Sequence, residues 1–356
     1  MRIALTVDPE IEVPPPHYGG IERIVDALAR GLAERGHEVT LLAHAGSTCP
    51  VRRIGWPGQS STSPLDTLRN ASTLARHIAA GRFDIVSSFS RLAYLAPILP
   101  LPIPKLMSYQ REISPRTTRL AHAMARGTLE FSAIAQHLID RQPLAGSWHL
   151  VPNGVPLGTY PCRANVPADA PLVFLGRIEA IKGAHVSIEV AQRIGRRLVL
   201  AGNVTPEHRA WFETSVAPHL DGDRIRYVGP VDDRQKSELL GSACALLMPV
   251  SWEEPFGVVM IEAMACGTPV IGFRRGGVRE VVADGETGFV VDTVAEMAAA
   301  VGRIPGISRP ACRDRVERLY SDRVLTERYL AVFSEVIARV RGKAAAIAAS
   351  RRQRAR

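Results

Sequence analysis

Glu254 and Glu262 bracket the run Pro255-Phe-Gly-Val-Val-Met-Ile, which continues through Ala263-Met-Ala-Cys-Gly-Thr-Pro269 into the apolar pair Val270–Ile271. Glu254 suits the N-cap of a helix, Pro255 its first turn, Gly267 the position past its end and Pro269 the stop. A helix that begins there leaves the backbone N–H groups of Phe256, Gly257 and Val258 without intrahelical partners. Gly257 has no side chain to shield them, so an anion can approach the positive end of the helix dipole. The two carboxylates would repel that anion, and their natural work is to accept hydrogen bonds from hydroxyls. A phosphate site bracketed by hydroxyl acceptors suits a sugar nucleotide.

A second charged set lies upstream, in Gly176-Arg-Ile-Glu-Ala-Ile-Lys-Gly183. Arg177 as a planar fork and Lys182 as a point charge can converge on a diphosphate from such a glycine-bounded loop. Fixed positive groups also stabilise the charge that develops when a sugar–phosphate bond breaks. Gly19-Gly20 precedes a helical pattern from Ile21, where glycines allow close approach of backbone to a ligand.

The Glu254-to-Glu262 segment resembles the Glu-x7-Glu signature of retaining glycosyltransferases of family 4, which have the GT-B fold, and residues 176–183 match that family's Gly-Arg-x-x-x-x-Lys-Gly pattern. The resemblance covers nearly the whole chain and is most specific from 151 to 292. It implies that Glu254 contacts the transferred sugar and Glu262 the ribose hydroxyls, with the backbone at Phe256, Gly257 and Val258 holding phosphate. Gly19 and Gly20 would meet the donor phosphate with Arg177 and Lys182, while Glu22 supports the helix start. Gly229-Pro-Val231 would abut the nucleobase, with Lys236 a further candidate; neither tells uridine from guanosine. Many members place a His near the end of a first-domain strand, close to the reaction centre. Here that stretch reads Lys105-Leu-Met-Ser-Tyr-Gln-Arg-Glu, putting Gln110 or Arg111 on the acceptor side. Neither is a general base near neutral pH, which suits front-face transfer with the donor phosphate taking the acceptor proton.

The elements needed to position these residues are written twice. Residues 3–7 form an apolar strand, 21–35 a helix with apolar residues at 21, 24, 25, 28, 29 and 32, and 39–42 the next strand. Strands are also expected at 83–88, 105–109 and 131–135. After the Pro/Gly-punctuated stretch 151–156 the pattern restarts, with strands at 172–175, 198–201, 225–228, 245–248 and 269–272 and a helix over 184–193. This is α/β architecture with parallel sheets. The expected organisation is a GT-B pair of Rossmann-like domains facing each other across a cleft. Residues 1–152 would bind acceptor and 153–325 the nucleotide sugar. By resemblance, helix 326–341 crosses back to the first domain, followed by a disordered basic tail, 342–356.

The chain of 356 residues, 46% hydrophobic and 22% charged, suits a globular protein of two domains. Its net charge of +9 is uneven, since Arg341 to Arg356 hold six basic and no acidic residues. Such a tail could meet anionic lipid, whereas nucleic acid is not expected. The five cysteines, at 49, 162, 244, 266 and 312, lack Cys-x-x-Cys spacing and read as reduced thiols. The first residues carry too short an apolar run for a signal peptide. These features suit a cytoplasmic protein, with the tail offering contact at the inner face of a membrane. Asp221-Gly-Asp223 has a metal-binding form but reads as a turn, the histidines lack ligand spacing, and no Gly-x-Gly-x-x-Gly follows the first strand.

The expected activity is transfer of a sugar from a UDP- or GDP-sugar cosubstrate to an acceptor hydroxyl with retained configuration. Neither metal nor cofactor is expected, because Arg177, Lys182 and the helix start supply the positive field. Two alternatives share the residues: a sugar-nucleotide epimerase or hydrolase of the same fold, and a catalytically silent nucleotide-sugar-binding protein.

Overall fold

Most of the apolar runs read from the sequence become strands of two all-parallel sheets. The computed structural model describes residues 1–16 and 19–354; of residues 344 and 347–354 it describes the backbone alone. The chain divides into a first unit, residues 1–152 with 325–356, and a second, residues 153–324.

In the first unit the order is β1 (Arg2–Thr6), α1 (Gly20–Glu34), β2 (Glu38–Ala43), β3 (Arg52–Gly55), α2 (Pro64–Ala80), β4 (Ile85–Ser88), β5 (Lys105–Tyr109), α3 (Pro115–Ala125), β6 (Leu129–Ala133), α4 (Gln136–Asp140) and β7 (Trp148–Leu150). The sheet runs β3-β2-β1-β4-β5-β6-β7. Ile3, Ala4 and Leu5 are fully buried, as a parallel strand covered on both faces requires. Strand order reverses between β1 and β4, which pair Ile3 with Ile85 and Thr6 with Ser88. The crevice beyond the C-terminal ends of such strands is where open α/β sheets bind ligands.

The second unit repeats the plan with β8 (Leu172–Leu175), α5 (Ala184–Ile194), β9 (Leu198–Ala201), α6 (Arg209–Ser215), β10 (Ile225–Tyr227), α7 (Asp233–Ser242), β11 (Ala245–Met248), α8 (Val258–Ala265), β12 (Val270–Phe273), α9 (Val278–Val281), β13 (Gly288–Val291), α10 (Val294–Arg303) and α11 (Arg309–Leu319). Its sheet order is β10-β9-β8-β11-β12-β13, so its reversal lies between β8 and β11. The loops leaving those two strands carry Arg177, Lys182, Glu254 and Phe256.

The last helix, α12 (Asp322–Arg354), belongs from Leu325 onward to the first unit. Buried Tyr329 places its hydroxyl 2.9 Å from Ser108 Oγ, and Arg339 pairs with Glu130 at 3.1 Å.

Several boundaries differ from the sequence reading. The strand expected at 131–135 occupies 129–133, and β3, β7 and β13 were not anticipated. β3 and β7 are short and none of their residues is buried, so they lack an apolar signature. The helix expected at 326–341 starts earlier, at Asp322, and is set off from α11 where Tyr320 departs from helical geometry and Val155 bridges to Ser321. The tail expected to be disordered continues α12 as helix to Arg354, consistent with the high helix propensity of its Lys343-Ala-Ala-Ala-Ile-Ala-Ala run. Residues 355 and 356 lie outside the described residues. Cys49, Cys244, Cys266 and Cys312 are buried free thiols, and Cys162 is exposed. Among the described residues no helix is long and apolar enough to cross a membrane.

Candidate active site

The loop leaving β8 is bonded to the neighbouring strand through Gly176 N–H to the Ala201 carbonyl and Ile178 N–H to the Asn203 carbonyl. A short 3-10 turn over Ala180–Lys182 then delivers Lys182, ending at Gly183 with φ +82°. A β-carbon on Gly183 would fall 2.2 Å from the Pro249 carbonyl oxygen, so glycine lets this loop press against the end of β11. Lys182 Nζ donates to Glu254 Oε2 at 2.6 Å and lies 4.6 Å from the centre of the Trp252 ring. Trp252 Nε1 donates to the same oxygen at 3.0 Å. Arg177 forms no bond with this pair. Its Nη2 lies 2.9 Å from Oε1 of buried Glu179, and its buried Nε has no partner. Glu179 also faces His208 at 3.1 Å.

Glu254 is not the N-cap expected of it. Helix α8 starts at Val258, its N-cap is Gly257, and Gly257 has φ +79°, a left-handed conformation that favours glycine. The Glu254 carbonyl instead accepts the N–H of Gly277 at 2.7 Å, and Gly276 N–H donates to Glu253 at 2.6 Å. The loop is thereby tied to the Gly276-Gly277 turn, 23 residues further on. Among the described residues the amides of Phe256 and Gly257 make no backbone hydrogen bond, and those of Val258 and Val259 stand at the open first turn. The helix begins, with open amides, three residues later than read, at Gly257 rather than Glu254. Its other end behaves as expected: Gly267 has φ +82° and donates to the Met264 carbonyl, while Thr268 donates to Ala263.

Glu262 projects from α8 and is buried. Its Oε1 accepts from the Tyr160 hydroxyl at 2.7 Å and from Lys236 Nζ at 2.5 Å. Lys236, read from sequence as a nucleobase candidate, is therefore tied to the ribose candidate, with Asp233 at 3.4 Å. Val231 lies half-buried between β10 and α7. The Asp221-Gly-Asp223 segment is a turn, with Asp221 Oδ1 accepting the N–H groups of Asp223 and Ile225. Among the described residues no three His, Cys, Asp or Glu side chains gather as metal ligands.

In the first unit, α1 begins after Gly19, which is buried against Pro15 and Glu22. At the reversal between β1 and β4, buried Asp8 accepts the N–H of Arg91 at 2.9 Å and Nη2 of Arg111 at 2.9 Å. Arg111 is thus held by a carboxylate. Gln110, which with Arg111 stands where the family's His would fall, has both side-chain amide atoms buried with no partner among the described residues. Glu22 is 7% exposed, and burial pushes its carboxyl up to about 7 against the partial relief of its own amide. Burial likewise raises Asp8, an effect Arg111 opposes. Sequence reading missed Asp8, Trp252 and Tyr160. Asp8 stands two residues beyond β1, and that crevice position was its available signal.

Comparison with known proteins adds to this geometry. Residues 165–305 match the family described as Glycosyl transferases group 1, and residues 18–158 match Glycosyltransferase Family 4. The chain is 34% identical to a glycogen synthase of Mycobacterium tuberculosis over 49% of its own length and 44% of that protein's, so it spans under half of that relative. It is 25% identical to a phosphatidyl-myo-inositol mannosyltransferase of the same species over 95% of this chain and 93% of the other. Among solved structures, a glycosyltransferase involved in avilamycin A biosynthesis superposes with TM-score 0.75 at 24% identity, covering 95% of this chain and 98% of the other. The Anabaena protein HepE, crystallised with UDP and glucose, gives TM-score 0.72 at 16% identity, covering 94% and 100%.

Proposed function

We propose, for a chain that belongs to the group 1 glycosyltransferases of family 4 and has their GT-B fold of two Rossmann-like domains, that it moves a sugar from a UDP- or GDP-sugar to an acceptor hydroxyl, with retention and without a metal. The observation that carries this reading is the pairing of Lys182 with Glu254 beside the open amides at the start of α8. One cation, one carboxylate and one open helix N-terminus stand together at the reversal of the second sheet, the groups that a diphosphate and a sugar hydroxyl would call for.

The diphosphate would lie against Lys182, Arg177 and the amides from Phe256 to Val259. Lys182 is already held in place, so little reorganisation accompanies charge development on the leaving group. Glu254 would accept hydroxyls of the transferred sugar. Glu262 Oε1 is occupied by Tyr160 and Lys236, leaving Oε2 to accept from ribose. In the transfer, the bond from the anomeric carbon to phosphate oxygen breaks and a bond to the acceptor oxygen forms on the same face. The acceptor proton passes to the departing phosphate. The HepE complex with UDP and glucose, and the inositol-lipid substrate in the mannosyltransferase's name, support a nucleotide-sugar donor and a hydroxyl acceptor.

Titration calorimetry with UDP, GDP, ADP, dTDP and their sugar conjugates, with and without EDTA, tests this reading. Binding of one nucleotide that is insensitive to EDTA and lost in Lys182→Ala is expected. Absence of binding across the panel would overturn it. Release of free sugar without any acceptor would favour hydrolysis instead.

A further inference from the structure

The N-terminal ends of β4, β5 and β6 lie opposite the strand ends that carry Asp8 and Arg111. Three turns and the end region of α12 collect there. The approach to β5 is Leu-Pro-Leu-Pro-Ile-Pro, residues 99–104, with no charged side chain. Its tip, Pro100 to Pro102, is exposed, Leu101 to 39%. A cavity of about 390 Å3 opens beside it, lined among others by Ile78, Phe83, Leu101, Pro104 and Val340.

The loop is fixed in place. Fully buried Lys105 donates from Nζ to the carbonyls of Leu101 and Ile103, each at 2.8 Å. Thr128 Oγ1 reaches the Leu101 carbonyl at 3.4 Å, tying in the α3–β6 turn, and Arg341 pairs with Asp84 at 2.7 Å, tying in α12. A β-carbon on Gly127 would come 3.1 Å from Lys343 Nζ, so α12 also reaches the α3–β6 turn. On α3, Leu120 is 63% exposed and Met124 40%, four residues apart and therefore on one helix face.

Arg82 lines the cavity, Arg126 ends α3 with Arg119 seven residues before it, Lys343 reaches the α3–β6 turn, and none of the four makes an ion pair among the described residues. Asp84, the acidic residue of the α2–β4 turn, is taken by Arg341. Arg126 is the one non-glycine among the described residues with a left-handed backbone, φ 53°, at a helix end where Gly or Asn fits more easily. The sequence beyond Lys343 adds four more basic residues and no acidic one.

We propose that this end of the first unit docks on an anionic lipid bilayer, with Leu101, Leu120 and Met124 entering the headgroup–acyl boundary and Arg82, Arg119, Arg126 and Lys343 meeting lipid headgroups. Apolar groups set among unpaired cations are what binding to an anionic membrane surface uses. A nucleic-acid surface would set stacking aromatics among its cations, whereas the exposed residues here are Leu, Met and Pro. Docking at the strand N-termini leaves Asp8, Glu22 and Arg111 clear of the lipid.

Co-sedimentation of the full chain with vesicles of phosphatidylcholine, alone and mixed with phosphatidylglycerol, tests the proposal. Binding only to the anionic vesicles is expected. It should fall about tenfold in Arg82→Glu with Arg126→Glu, and likewise in Leu101→Glu. Thermal melts monitor folding, and Leu120→Glu, at a well-exposed position, repeats the apolar arm if Leu101→Glu does not fold. Nucleotide titration of the same preparations reads the proposed function separately. Absence of binding, binding untouched by the apolar variants, or full displacement by a single-stranded oligonucleotide would each overturn the proposal, the last in favour of a nucleic-acid surface.

Discussion

Lys182 Nζ and Glu254 Oε2 meet at 2.6 Å across 72 residues of chain, and the Trp252 indole donates to the same oxygen. The pair joins the loops that leave β8 and β11, the two strands between which the second sheet reverses. Breaking it should therefore act on chemistry more than on folding. Lys182→Ala is expected to lose ~2–4 kcal/mol of transition-state stabilisation, a fall in kcat of roughly 30- to 1,000-fold. Steady-state kinetics with the donor identified by calorimetry checks this. Wild-type turnover in the variant would remove Lys182 from the site.

Why Lys182, Glu254 and Glu262 were readable from sequence, and Asp8 and Tyr160 were not, follows from distance along the chain. Arg177 and Lys182 share one loop, and Glu254 and Glu262 share one segment, so type and spacing betray them. The start of α8 was misplaced because Glu254-Pro255 has cap-like residue types, whereas the deciding contact comes from Gly277. Asp8 and Arg111 are 103 residues apart and become partners only through the β1-β4-β5 order of the sheet. Tyr160 reaches Glu262 from between the Pro/Gly-punctuated stretch 151–156 and the strand at 172–175, where the sequence carries no periodic pattern.

Glu262 and Lys236 form a buried pair, 5% and 7% exposed. Glu262→Ala should weaken nucleotide binding and also leave the Lys236 ammonium largely uncompensated, since Asp233 lies farther off at 3.4 Å. A loss of about 3 kcal/mol in stability is expected. Replacing Lys236 with Met in the same chain should restore most of the stability without restoring nucleotide affinity. Denaturant melts beside calorimetry separate the two effects, and full recovery of both would mean that Glu262 does not touch ribose.

Glu22 gives a pH dependence whose sign follows from burial. Its carboxyl holds a proton up to about 7 in the folded chain against 4.5 ordinarily, with Asp8 and Glu10 adding to the rise and Arg111 opposing it. Between these values the folded protein binds more protons than the unfolded one, so stability present below about pH 4.5 is lost as pH rises through 7. The full difference is about 3 kcal/mol. Glu22→Gln should remove this slope and be the more stable chain at pH 8, as measured by urea unfolding at pH 5 and pH 8. An unaltered slope would show that another group titrates in that window.

Gly183 tests whether the Lys182 loop works by position. Alanine there must hold φ +82° and place a β-carbon 2.2 Å from the Pro249 carbonyl oxygen, a backbone atom that cannot rotate aside. Strain of the order of 1–3 kcal/mol is expected, and the loop should relieve it by moving off the end of β11. That shift separates Lys182 from Glu254 while leaving both charges in the protein. Gly183→Ala should therefore lose turnover on the scale of Lys182→Ala, with only a modest fall in Tm. A variant that unfolds outright would show the contact to be structural. One that keeps wild-type turnover would show that Lys182 does not depend on this loop geometry.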